Sequence, residues 1–86
     1  MRLADFEERV WEVEGVRIVV RGDEDDEVED YDYKYAAIEN WSIAKLVKMR
    51  VRPRIGSAKE VVIRGNGEIP NGNVILRNLR ESYSHE

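Results

Sequence analysis

Eighty-six residues with a net charge of −4 and no cysteine leave room for one core. They exclude a disulfide framework, a thiolate zinc site and a cysteine nucleophile. A domain of this length buries only about two thirds of the surface its unfolded chain exposes, so its stability is modest. The hydrophobic fraction of 42% suffices for that core, and a charged fraction of 37%, against about 25% in an average domain, makes much of the surface ionised.

The chain opens Met1-Arg2-Leu3-Ala4-Asp5-Phe6-Glu7-Glu8, with acidic residues where a secretion signal needs an apolar run. Leu3, Phe6, Val10 and Val13 recur at spacings of three and four and predict a helix over 3–14 with one narrow apolar face. Glu7, Glu8, Glu12 and Glu14 are expected mostly off that face. Trp11 either widens it or sits at a contact, and Gly15 supplies a left-handed stop. Residues 16–21, Val-Arg-Ile-Val-Val-Arg, are rich in β-branched side chains and predict a strand closed by Gly22. In the next eight residues, 23–30, seven are acidic, a density of like charge that belongs in a solvated loop. Tyr31, Tyr33 and Tyr35 then alternate with Asp32 and Lys34, which reads as a short strand with a tyrosine face or as the irregular entry to the next helix.

Ser42 is a candidate N-cap for a second helix whose stripe is Ile43, Leu46, Val47 and Val51. Its cations lie toward the C-terminal end, where the helix dipole favours them. Pro53 is expected to end it near residue 51 or 52. Glu60-Val61-Val62-Ile63-Arg64 predicts a second buried strand, stopped by Gly65-Asn66-Gly67. Asn73 is the expected N-cap of a third helix carrying Val74, Ile75, Leu76, Leu79 and Tyr83. Residues 84–86 are expected to fray. No apolar stretch approaches the roughly 20 residues of a membrane span.

The implied fold is a single α+β domain over 1–86, a two-layer arrangement with a small sheet of two or three strands and three helices. The order is helix, strand, optional strand, helix, strand, helix. Two strands joined through a helix are expected to lie parallel with a right-handed crossover. Residues 17–22 and 60–65 echo each other at an offset of 43. A duplicated helix–strand unit produces such an echo, and so does any short buried strand that ends in a turn.

The residues point away from catalysis. The one histidine, His85, stands next to last, where no general base is held in place. Asp23, Asp25 and Glu27 imitate a calcium loop, but the positions that need Gly and Glu hold Val28 and Lys34. Gly65-Asn66-Gly67 imitates a dinucleotide loop, but the third glycine position is Pro70. The same loop either offers amide groups to an anion, with Arg64 and Arg77 nearby, or is an ordinary strand-to-helix turn. No enzyme, cofactor or metal is expected.

The strongest signal is the division of charge. Residues 1–43 hold fourteen Asp and Glu against five Lys and Arg, a net −9, and residues 44–86 hold four against nine, a net +5. The two halves either neutralise each other within the fold or face charged partners. The leading expectation is a small protein-interaction module in a cytoplasmic setting. It would meet a basic partner surface through Asp23, Glu24, Asp25, Asp26, Glu27, Glu29, Asp30, Tyr31 and Tyr33, with fast, salt-sensitive association. In size and acidity, though in no diagnostic motif, the chain resembles the compact inhibitors that phages and mobile elements encode against nucleic-acid-binding machinery. The alternative is nucleic-acid binding through Lys45, Lys48, Arg50, Arg52, Arg54 and Lys59. Head-to-tail self-association of acidic on basic halves is a third expectation.

Overall fold

Helix α1 spans Leu3–Glu14 in the computed structural model, which describes residues 1–22, 27–56, 58–63, 65 and 67–83. The acidic residues Asp23, Glu24, Asp25 and Asp26, the loop residues Arg64 and Asn66, and the 84–86 tail with His85 lie outside the described residues. Leu3, Phe6 and Val10 form the buried face of α1, and Gly15 ends it at φ 69°, its amide donating to the Trp11 carbonyl. Strand β1 follows at Arg17–Arg21. Helix α2 runs through three consecutive segments, Ile43–Leu46, Val47–Val51 and Arg52–Ile55. Strand β2 is Lys59–Ile63 and helix α3 is Leu76–Glu81. The order helix, strand, helix, strand, helix is the expected one, and the fold is a small mixed α/β domain.

The expected parallel pairing is overturned. Strands β1 and β2 are antiparallel, with Arg17 opposite Ile63 and Arg21 opposite Lys59. The cause is the number of passes between them. Segment 27–38 is a pass in its own right. It begins beside the start of α1, where the Val28 amide donates to the Met1 carbonyl, and reaches its end, where the Ala37 amide donates to Glu14. Helix α2 makes the return pass, so that the Glu29 amide donates to the Arg54 carbonyl. Two passes bring the chain back to the end of β1 that it left, and β2 then runs the other way. Among the described residues the tyrosine run forms no strand; it is irregular, the second of the two forms its alternation allowed.

Two boundaries also moved. Ser42 caps α2 as expected, its hydroxyl accepting from the Lys45 amide at 3.1 Å. Pro53, however, does not end the helix. The middle segment widens to π geometry, with the Arg52 amide reaching the Val47 carbonyl, and Pro53 falls in the first turn of the last segment, where its missing N–H costs little. Helix α3 starts at Leu76 and not behind Asn73. The Ile43 amide donates to the Val74 carbonyl, and the Leu76 and Arg77 amides donate to the Trp41 and Glu39 carbonyls. Residues 71–74 make a turn closed by the Val74 amide on the Asn71 carbonyl, and Ile75 beyond it is extended and bridges to Ser42.

One face of the ribbon, carrying Ile18, Val20 and Val62, joins Phe6, Val10, Leu46, Val51, Leu76 and Leu79 in a single core. Tyr83 ties off the open end of the ribbon: its hydroxyl accepts from the Arg17 amide and donates to the Ile63 carbonyl. Its ring meets Trp11 edge-on at 5.3 Å, and the Arg17 guanidinium lies over that indole. The exposed Trp11 is therefore a contact residue. Among the described residues no helix is long and apolar enough to cross a membrane.

Candidate functional site

The last residue of α1 organises the middle of the chain. Glu14 is 1% exposed, the one charged residue among the described buried ones. Helical spacing puts it there, four residues beyond Val10 and on the same stripe. This corrects the expectation that it lies off the apolar face. A carboxylate at a helix C-terminus opposes the helix dipole and is costly to bury alone. Its two oxygens accordingly accept from donors on three other parts of the chain. The Tyr31 hydroxyl is at 2.6 Å, the Ala37 amide at 2.8 Å, Arg50 Nη1 at 2.6 Å and Arg80 Nη2 at 3.4 Å. Arg80 Nε also takes the Glu14 backbone carbonyl at 2.7 Å, neutralising the negative end of the helix.

The partners feel this arrangement. Burial pushes the Tyr31 hydroxyl far above the ordinary phenol range, and the hydrogen bond and charge of Glu14 push it further. For Arg50, burial works against the charged form, but the bond to Glu14 and the carboxylate's charge prevail and hold the guanidinium above its ordinary value. A second layer covers the first. Arg50 donates to the Tyr35 carbonyl and lies 4.3 Å from the Tyr33 ring centre and 5.5 Å from the Trp41 ring. Arg54 stacks on Tyr33 and pairs with Asp32 at 3.2 Å. Lys45 lies 4.6 Å from the Trp41 ring.

The acidic and basic halves therefore neutralise each other in part, through Arg50 and Arg80 on Glu14 and Arg54 on Asp32. Of the residues expected at a partner surface, Tyr31 is 1% exposed, with Phe6 and Tyr33 against its ring, so it belongs to the core. Tyr33 is half-buried under the arginines. Glu27, Glu29 and Asp30 are exposed, and Asp30 stands 3.9 Å from the chain's amino terminus. Asp23, Glu24, Asp25 and Asp26 fall outside the described residues. Tyr35, expected beside Tyr31 and Tyr33 at the partner face, is 81% exposed, and Ile38, for which no such expectation stood, is 62% exposed; the two stand on either side of the buried Ala37. The alternation of tyrosines hinted at Tyr35; for Ile38 no sequence signal stood out.

The six basic candidates do not form one surface. Arg50 and Arg54 are committed inward, and Arg52 pairs with Glu60 at 3.2 Å. Lys48 and Lys59 are exposed on α2 and β2. Among its described residues the glycine loop shows no anion cradle. Gly65 packs so tightly on the end of α3 that a Cβ there would lie 1.9 Å from the Ser82 carbonyl oxygen, and its amide is taken by the Ser82 hydroxyl at 3.0 Å. Among the described residues no three carboxylates or histidines are grouped to hold a metal. No protein-family model matches the chain, and no curated protein or solved structure is significantly similar to it.

Proposed function

We propose that the protein is a non-enzymatic interaction module that meets a basic partner surface with segment 27–38. The observation that carries this reading is the exposure of Tyr35 and Ile38 on a segment whose backbone is pinned from beneath. Ala37 between them donates to Glu14, and the Tyr35 carbonyl accepts from Arg50. A backbone held this way has little freedom left to lose on binding, one of the costs that preorganisation removes. Glu27, Glu29 and Asp30 lie on the same segment and supply the negative potential that steers a basic partner. A surface built to hold phosphates would meet the same carboxylates, so the reading includes an inhibitor or nucleic-acid mimic.

Capture from native lysate on immobilised protein, followed by kinetics with the captured partner, tests it. Tyr35→Ala should speed dissociation at least about tenfold with no change in folding stability, as for an anchor residue. Replacing Glu27, Glu29 and Asp30 by their amides should slow association by about a decade at low salt, and the difference should shrink as salt rises. Kinetics indifferent to both changes would remove the segment from the interface.

A further inference from the structure

The two strands leave two sheet edges, and the protein treats them differently. On β1 the Val20 amide points off the ribbon and donates to Glu7 Oε2 at 2.7 Å, so α1 covers that edge. The direction of this bond sets the ladder. In an antiparallel pair, residues whose amides point outward alternate with those that bond across. Val20 with Glu60, and Ile18 with Val62, are therefore the pairs that do not bond across the ribbon. The amides and carbonyls of Glu60 and Val62 point away from β1, and no residue of the chain bonds them among the described residues.

A groove of about 400 Å³ runs along this open edge. It touches three consecutive residues of β2, Glu60, Val61 and Val62, whose side chains alternate between faces, so it follows the edge and not one face. Ile43 and Val47 of α2 form one wall; Pro70 and Ile69, the latter 72% exposed, form the other. Lys48 and Arg52 stand on the α2 side, and exposed Lys59 opens the strand. Glu60 is the one carboxylate among the lining residues, and it already holds Arg52.

We propose that the free edge of β2 takes up an extended acidic peptide as a third strand. The backbone of Glu60 and Val62 supplies the bonds, the groove receives an apolar side chain, and Lys48 and Lys59 receive the carboxylates beside the Arg52–Glu60 pair. The excess of cations selects this occupant. A second copy joined edge to edge would bring Lys48 and Arg52 from both chains to one seam, with only two Glu60 carboxylates against them. This site is separate from segment 27–38, and its test is independent of that reading.

The probe is a blocked hexapeptide of alternating glutamate and valine, titrated into isotope-labelled protein and followed by amide spectra. The Glu60 and Val62 amides should shift and become protected from exchange. A lysine–valine peptide should bind at least about tenfold more weakly, Lys48→Glu should weaken the acidic peptide, and N-methylation of the peptide's alternate amides should abolish binding. The proposal is overturned if the two peptides bind alike, if the Glu60 and Val62 amides do not respond, or if their protection rises with protein concentration alone, which would assign the edge to a second copy.

Discussion

Glu14→Ala is expected to cost about 3–5 kcal/mol, the range for removing one member of a buried ion pair, and thus a large part of the roughly 5–15 kcal/mol that holds a small domain together. Four groups lose their acceptor at once: the Tyr31 hydroxyl, the Ala37 amide, Arg50 and Arg80. The first two are buried and have nowhere to turn, whereas the guanidiniums stand near the surface and can recover water. Arg50→Met should therefore cost clearly less, since Arg80, Tyr31 and Ala37 still serve the carboxylate. Urea unfolding of the two variants checks both the size and the order. A Glu14→Ala shift equivalent to less than 1 kcal/mol would mean that the chain's centre is held by packing alone, and a larger loss for Arg50→Met would mean that Arg80, Tyr31 and Ala37 do not hold the carboxylate's charge without it.

Phe6→Ala should cost a similar amount, about 3–5 kcal/mol, through a different cause, the loss of buried area and the cavity left behind. Phe6 is fully buried, and its ring meets Tyr31 edge-on at 5.5 Å. The cavity would open directly beneath the tyrosine that donates to Glu14, so relaxation of the site disturbs the carboxylate's partners as well. For that reason Phe6→Ala and Glu14→Ala should not add: residues sharing a partner couple. A double variant whose loss equals the sum of the single losses would show that packing and the polar centre act independently.

Much of the fold was legible because periodicity and caps are local. The stripe of α1, the left-handed Gly15, the β-branched strands and the Ser42 cap all follow from neighbours a few residues apart. Glu14 was missed although its position was readable: it continues the stripe of Leu3, Phe6 and Val10, but a charged side chain was sorted to the surface by type. Its partners come from 17 to 66 residues away, and no local pattern announces them. The direction of β2 depended on whether segment 27–38 counted as a pass, which its acidic composition concealed. Pro53 misled because the steric rule for a proline assumes α geometry, and the π segment before it removes the conflict. The alternation of the three tyrosines fits one strand face as well as an irregular stretch. They form a gradient instead, from buried Tyr31 through half-buried Tyr33 to exposed Tyr35, because the chain climbs out of the core as it passes the arginines.

In the proposed function a buried carboxylate holds segment 31–37 rigid and so presents Tyr35 and Ile38. Native-state hydrogen exchange of the Ala37 amide tests it most directly, since that proton sits on Glu14 in a stretch without regular secondary structure. Its opening free energy should fall within about 1 kcal/mol of global unfolding, like the core amides of α1. Exchange of Ala37 at the rate of an unprotected loop, with the α1 amides still protected, would contradict the account.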